Sequence, residues 1–259
     1  MSTKFTRAIA RRPAPTFADG LTSVSLGVPD YDKVLRQHEA YCDALLRTGV
    51  EVLLLDPDDR YPDSTFVEDT AIVARGCAIV TRPGAQSRLG EAAEIRAPLS
   101  QFFATLDEIV APGTVDGGDV CEADDRAFIG LSHRTNREGA EQLAAWFGKR
   151  SIPATIVDIR DLDSILHFKS GMGYLGDGTY VVIDELVDRL DVPHESIVRT
   201  APEEAYGANC VRVNDVVLLA AGHPRLQADL VKRGFTPLVL DMSEYQKMDG
   251  GLSCLSIRF

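Results

Sequence analysis

The chain of 259 residues is long for one domain but within range for a β-rich or repeated architecture, and it can bury a large core. Apolar and charged fractions of 45% and 25% are those of an ordinary globular protein, and a net charge of −12 argues against a nucleic-acid or anionic-membrane surface. That charge serves solubility and mildly favours a cationic small molecule over an anionic one.

The opening residues, Met1 to Phe5, carry no apolar leader, and no run approaches the length of a membrane span. Five cysteines (Cys42, Cys77, Cys121, Cys210 and Cys254) are odd in number and far apart, which fits neither a disulfide framework nor a zinc spacing. A reducing, cytoplasmic setting is expected. In chain order, the pattern predicts a strand over Phe5–Ala10, a helix around Tyr31–Arg47 and a strand in "VEVLLLD". From Phe66, "FVEDTAIVARGCAIVTR" reads as a hairpin turning at Arg75-Gly76, followed by a helix over Ala92–Phe103 and the short run "DEIVAP".

The pattern then recurs. "DVCEADDRAFIGLS" is a hairpin around Asp124-Asp125, and the helix Arg137–Phe147 after it has Thr135 or Asn136 as N-cap; "ATIVDI" is the returning strand. "HFKSGMGYLGDGTYVVID" turns at Gly176-Asp177-Gly178, with a helix and "SIVR" behind it. "NCVRVNDVVLLAAG" turns at Asn214-Asp215 and leads to a helix over Leu226–Lys232, a stop at Gly234 and the strand "PLVLD". Five units of roughly fifty residues, each hairpin–helix–strand, point to an α/β fold with radial repetition and one domain over residues 1–259.

Reactive and charged residues stand at equivalent places in these units. Asp63, Glu68 and Asp69 open the second, Asp116 and Asp119 the third, His167 the fourth and Asn209 the fifth; Cys254 follows the fifth unit's last strand. Units arranged about one axis would bring acids, an imidazole and a thiol into one pocket. Taken singly, each has a plainer reading. Cys42, Cys77, Cys121 and Cys210 read as core packing, His167 between Leu166 and Phe168 as a core histidine, and "DGGD" as a turn. Cys254 differs in following Gly250-Gly251, an approach that suits a nucleophile a ligand must reach.

"PDSTFVED", "TRPGAQSR", "DGGD", "GLSHRTNREGA", "LHFKSGMGYL", "GANC" and "DGGLSCLS", in that order over nearly the whole chain, resemble the dimethylarginine dimethylaminohydrolases of the guanidino-group-modifying superfamily. The resemblance implies the pentein fold, a five-bladed α/β-propeller of ββαβ modules about a pseudo-fivefold axis. It implies Cys254 as nucleophile, His167 as general acid and base, and Asp116 as the acid that orients the imidazole, where some relatives have Glu. Asp119 is equally suitable by residue type. By the same resemblance Asp63, Glu68 and Asp69 surround the substrate's cationic groups, Arg88 and Arg134 take its α-carboxylate, Leu21 lies in a lid loop and the Met248 carbonyl meets the α-amino group. Arg82 competes with Arg88 as the functional arginine of its loop, and His133 departs from the small or basic residue often found before Arg134.

The implied reaction converts dimethylarginine or monomethylarginine to citrulline through a covalent cysteine adduct, with no metal or organic cofactor. The implied partner is a small cationic guanidino substrate, with no nucleic acid and no membrane; a homodimer is left open. Arginine deiminase chemistry is the nearest alternative, although those enzymes usually carry an extra helical insertion, which this sequence lacks. A non-catalytic propeller that binds a partner is a second, disfavoured by the Cys–His–acid set. A cysteine protease is a poor third, since five units closing on an axis leave no extended groove for a peptide.

Overall fold

The computed structural model describes residues 4–259. Its five sheets share one plan: each has three strands, with an antiparallel first pair and a parallel return. In the first blade β1 (Arg7–Arg11) runs parallel to β2 (Glu51–Leu55), with α1 (Tyr31–Arg47) between them. The second holds β3 (Ala71–Ala74), β4 (Cys77–Val80), the helical turns α2 (Glu91–Glu94) and α3 (Arg96–Ser100), and β5 (Leu106–Glu108). The third holds β6 (Val120–Glu122), β7 (Ala127–Leu131), α4 (Arg137–Gly148) and β8 (Ala154–Asp158). The fourth consists of β9 (Met172–Tyr174), β10 (Tyr180–Val182), α5 (Asp184–Val187) and β11 (Ile197–Arg199). In the fifth, β12 (Val211–Val213), β13 (Val216–Ala220), α6 (Pro224–Lys232) and β14 (Pro237–Leu240) complete the repeat. The chain ends with α7 (Ser243–Gln246) and β15 (Ile257–Arg258).

This is the five-bladed α/β-propeller that the resemblance implies; the repeat alone points to radial repetition, as a propeller or a solenoid. Local signals account for its best-formed helices. Asp30 caps α1 by accepting from the Lys33 N–H, and Asn136 caps α4 by accepting from the Gly139 N–H at 2.8 Å. Val34, Gln37, His38, Tyr41, Ala44 and Leu45, which recur at the three- to four-residue spacing of a helix, form the buried face of α1. The helix expected over Ala92–Phe103 is instead two short turns. A continuous helix would need a bond from Pro98 to the Glu94 carbonyl, and proline has no N–H; Pro98 sits in the first turn of α3, where none is required. The fourth unit's helix is likewise a single turn.

The first blade lacks an antiparallel partner of its own, and β15 supplies it. The register is Ala8 opposite Arg258 and Ile9 opposite Ile257, reinforced by the Thr6 and Arg7 N–H groups, which both donate to the Phe259 carbonyl. Cys254 therefore belongs to the opening of the first blade rather than the close of the fifth. Hydrophobic clusters join each blade to the next around the ring. Ile9, Val80 and Ile257 lie between the first and second blades, and Ile79 and Ile129 between the second and third. Phe128, Val181 and Leu219 join the third, fourth and fifth, and Tyr41 and Leu218 close the circle. Among the described residues, no helix is long and apolar enough to cross a membrane.

Ile257 tests the closure, because it is buried where the last strand meets both the first and second blades. Ile257→Ala is expected to cost about 2–5 kcal/mol and to lower Tm by roughly 5–15 °C for a chain of this size. Thermal unfolding followed by circular dichroism reads the effect. A Tm within a degree of wild type would show that the ring does not depend on this strand.

Candidate active site

A short 3-10 turn precedes the first strand of every blade: Val67–Thr70, Gly117–Asp119, Phe168–Ser170, Pro202–Ala208 and Ser253–Leu255. These turns meet one another at one end of the propeller, so residues distant in sequence become neighbours. A narrow pocket opens there, lined by Leu21, Asp63, Phe66, Asp69, Arg88, Arg134, Leu166, His167, Met248, Asp249, Gly250 and Cys254.

His167 and Asp116 form the clearest pair. The imidazole Nε2 lies 3.1 Å from Asp116 Oδ2, and Asp116, fully buried, also accepts the Gly84 N–H through Oδ1 at 2.8 Å. Asp119 faces elsewhere: it accepts from the Phe168 N–H and from the hydroxyls of Ser132 and Thr135, and so anchors the backbone beside His167. The two acids that are alike by type thus separate by geometry. Gly118 explains part of "DGGD", since a Cβ there would lie 2.9 Å from both Cγ and Nδ1 of the His167 ring. Burial opposes a charge on His167, but the carboxylates of Asp69, Asp116 and Asp119 overcome it and raise its pKa to about 9. Burial, reinforced by the charges of Glu68 and Asp69, pushes the Cys254 thiol up to about 12. At neutral pH the resting pair is therefore an imidazolium and a thiol.

The Gly-Gly approach to Cys254 is a packing requirement. A Cβ on Gly250 would lie 2.4 Å from the Phe66 ring, and one on Gly251 would lie 2.5 Å from the Asn209 carboxamide oxygen. Glycine lets the last segment press against the second and fifth blades.

The remaining expected residues divide into those that face the pocket and those that do not. Leu21 and Met248 line it, and the Leu21 N–H donates to Asp63. Arg134 lines it with a partly exposed side chain, its Nη1 3.9 Å from Asp116. Arg88 also reaches the wall, but its guanidinium is taken up by the chain itself. It donates to Glu91 from Nε and Nη2, to Asp69 from Nη1 at 2.6 Å, and to the carbonyls of Asp63 and Phe66. Such an arginine, buried between two carboxylates, is poorly placed to take the α-carboxylate expected of it. Arg82 does not compete, since it bridges to Val115 away from the pocket lining. Glu68 departs too: one oxygen meets Lys169 Nζ at 2.6 Å and Arg258 Nη2 at 3.0 Å, and the other accepts from the Ser253 hydroxyl at 2.8 Å. It lies behind the nucleophile's turn and is absent from the pocket lining. His133 is exposed. Phe66, Leu166, Asp249 and Gly250 are not singled out in sequence as site residues; Leu166 adjoins His167 and Asp249 adjoins Met248.

Asp69, Asp116 and His167 bring ligand atoms within 4.8 Å of one another, close enough to hold a metal. Asp69, however, already binds Arg88 and the Gly118 N–H, and Asp116 the Gly84 N–H, so the trio is better described as an oriented, charged imidazole.

The family model for eukaryotic N,N dimethylarginine dimethylhydrolase matches residues 30–204. The N(G),N(G)-dimethylarginine dimethylaminohydrolase of Pseudomonas aeruginosa is 43% identical over 98% of this chain and 100% of its own. A solved structure of the P. aeruginosa enzyme, a cysteine-to-serine mutant complexed with citrulline, superposes with a TM-score of 0.94 at 42% identity, covering 99% of this chain and 100% of that one. A dimethylarginine dimethylaminohydrolase with a histidine-to-glycine change, forming an adduct with S-methyl-L-thiocitrulline, gives 0.93 at 42% identity over 98% and 100%.

The elevated His167 pKa carries a stability signature. Its contribution should be complete below the ordinary histidine value of about 6.5 and be lost as pH rises through about 9, because the folded protein then holds a proton the unfolded chain has released. The slope is expected to be on the order of 1 kcal/mol per pH unit. His167→Gln should flatten it between pH 6.5 and 9 in urea unfolding. An equally steep decline in the variant would assign the effect to other groups.

Proposed function

The chain belongs to the dimethylarginine dimethylaminohydrolase family, and we propose that it hydrolyses asymmetric dimethyl-L-arginine, and monomethyl-L-arginine, to L-citrulline with release of dimethylamine or methylamine. The observation that carries this reading is the meeting of Cys254, the His167–Asp116 pair and the carboxylates of Asp63 and Asp69 around one pocket. Five free cysteines support a reducing compartment such as the cytoplasm.

A guanidinium carbon is a poor electrophile because its charge is spread over three nitrogens, so a strong nucleophile is needed. The acids beside Cys254 that raise its pKa also attract the substrate cation. Once bound, that cation offsets their charge, and the thiol gives up its proton to solvent, His167 being already protonated, and becomes nucleophilic. Thiolate addition to the guanidinium carbon gives a neutral tetrahedral adduct. His167, already protonated, gives its proton to the alkylamino nitrogen; the C–N bond breaks and the amine leaves a cationic thiouronium on Cys254. Neutral His167 then takes a proton from water, hydroxide adds to the same carbon, and collapse expels the sulfur, which takes up the adduct's hydroxyl proton, so that neutral citrulline and the thiol result. Asp116 keeps the ring oriented through both steps. Arg134 is assigned the α-carboxylate, Met248 the α-amino group through its carbonyl, and Asp63 and Asp69 the cationic end; Leu21 covers the pocket, while Arg88 and Glu68 support its walls.

Cys254→Ser should fold normally and lose at least ~10²-fold in kcat, the scale of losing a catalytic group. Alanine at Cys42, Cys77, Cys121 or Cys210 should leave kcat largely intact. Citrulline formation from dimethylarginine is the readout, with arginine and agmatine as comparison substrates. More than about a tenth of wild-type kcat in the serine variant would remove Cys254 as nucleophile.

The two arginines should part company. Arg134→Ala is expected to lower kcat/KM for dimethylarginine roughly ten- to a hundredfold, since a hydrogen bond between charged groups contributes about 1.5–3 kcal/mol, and to leave Tm nearly unchanged. Arg88→Ala leaves Asp69 and Glu91 buried without their partner and should cost about 3–5 kcal/mol of stability. Equal losses on a methylated agmatine, which lacks the carboxylate, would withdraw that role from Arg134.

A further inference from the structure

Asn209 and Ser253 lie outside the roles assigned above, yet their hydrogen bonds determine what Cys254 touches. Asn209 is buried, and two backbone groups fix its carboxamide. The Ser253 N–H donates to Oδ1 at 2.9 Å, so this atom is the oxygen; Nδ2 donates to the Lys169 carbonyl at 2.8 Å. Nδ2 also points at Ser253 Oγ, 3.1 Å away, which makes that hydroxyl an acceptor there. Ser253 has one hydroxyl proton, and Glu68 Oε2 lies 2.8 Å off, in ionic contact through its other oxygen with Lys169 and Arg258. A carboxylate can only accept, so the proton lies on the Glu68 side. What Ser253 Oγ presents to Cys254 Sγ, at 3.9 Å, is a lone pair.

We infer that Asn209, Ser253 and Glu68 form a positioning relay that leaves Cys254 facing a hydrogen-bond acceptor rather than a donor. The inference rests on Cys254 as the nucleophile. Its consequence is a free protein whose nucleophile resists alkylation and oxidation, with Ser253 acting on the reaction only through its neighbour. The charged and titratable groups around Cys254 are Glu68 and Asp69 from the second blade, His167 and Lys169 from the fourth, Tyr206 from the fifth, and Arg258, backed by Tyr41, from the closing strand. All are retained when Ser253 is changed.

The test is the pH dependence of Cys254 alkylation by iodoacetamide in the substrate-free protein, from pH 6 to 11, with the modified peptide quantified by mass spectrometry. Ser253→Ala removes the acceptor, and Cys254 should react roughly two- to fivefold faster across this range, which lies below the thiol's midpoint of about 12, the size of one weak S–H···O contact. Ser253→Thr keeps the hydroxyl and should restore the wild-type profile. Ser253→Gly gives the same readout should the alanine variant not fold, and Tm measured alongside reports general loosening. Slower alkylation in the alanine variant would mean the hydroxyl donates to the thiolate, and an unchanged rate would mean no relay; either overturns the inference. Turnover of dimethylarginine by the wild type is measured separately, and because alkylation needs no substrate, the relay and the proposed reaction can fail independently.

Discussion

The pairing of β15 with β1 is the constraint on which both fold and site depend. Four blades draw their antiparallel hairpins from contiguous sequence, but the first must borrow a strand from the far end of the chain. That pairing seals the last gap in a ring of hydrophobic clusters. It also sets the turn Ser253–Leu255 beside Val67–Thr70, which is how Cys254 comes to share a pocket with Asp69. Closing the ring and placing Cys254 are one event. A short C-terminal segment consequently carries more structural consequence than its length suggests, and nearly every residue from Gly250 to Ile257 is buried accordingly.

Much of this was legible in the sequence because the repeat leaves strong local marks. Hairpin turns at Arg75-Gly76 and Asn214-Asp215, the Asn136 cap and the amphipathic pattern of α1 all depend on neighbours in the chain, and all stand where expected. What depended on distant partners was harder to read. β15 has only two residues, too few for a periodicity, and nothing within it names β1 as its partner. Residues 92–103 look amphipathic until Pro98 is given its missing donor.

The site divides along the same line. Residue types at blade openings single out His167, Cys254 and two acids, Asp116 and Asp119, between which only the resemblance chooses and only the geometry separates. Direction was not encoded so plainly. In a 3-10 turn successive side chains point about 120° apart, so adjacent acids diverge: Asp69 faces the pocket, and Glu68 faces Ser253, Lys169 and Arg258. Arg88 reads as a loop arginine free to bind a ligand. The available warning was Glu91, three residues on, within reach of its guanidinium.

Buried negative charge gives the pocket its selectivity and its safety together. Asp63, Asp69 and Asp116 are almost wholly removed from solvent, and Arg88 is shared between Asp69 and Glu91, leaving an unmet demand for a cation at the pocket floor. His167 answers part of that demand by holding a proton well above its ordinary range, which suits it to the acid role proposed for it. The same field keeps Cys254 protonated. A planar cation that enters this field is attracted by the carboxylates, and by offsetting them it removes the obstacle to its own attack. A neutral ligand of the same shape gains neither effect, so the nucleophile is activated in response to the charge it is there to attack.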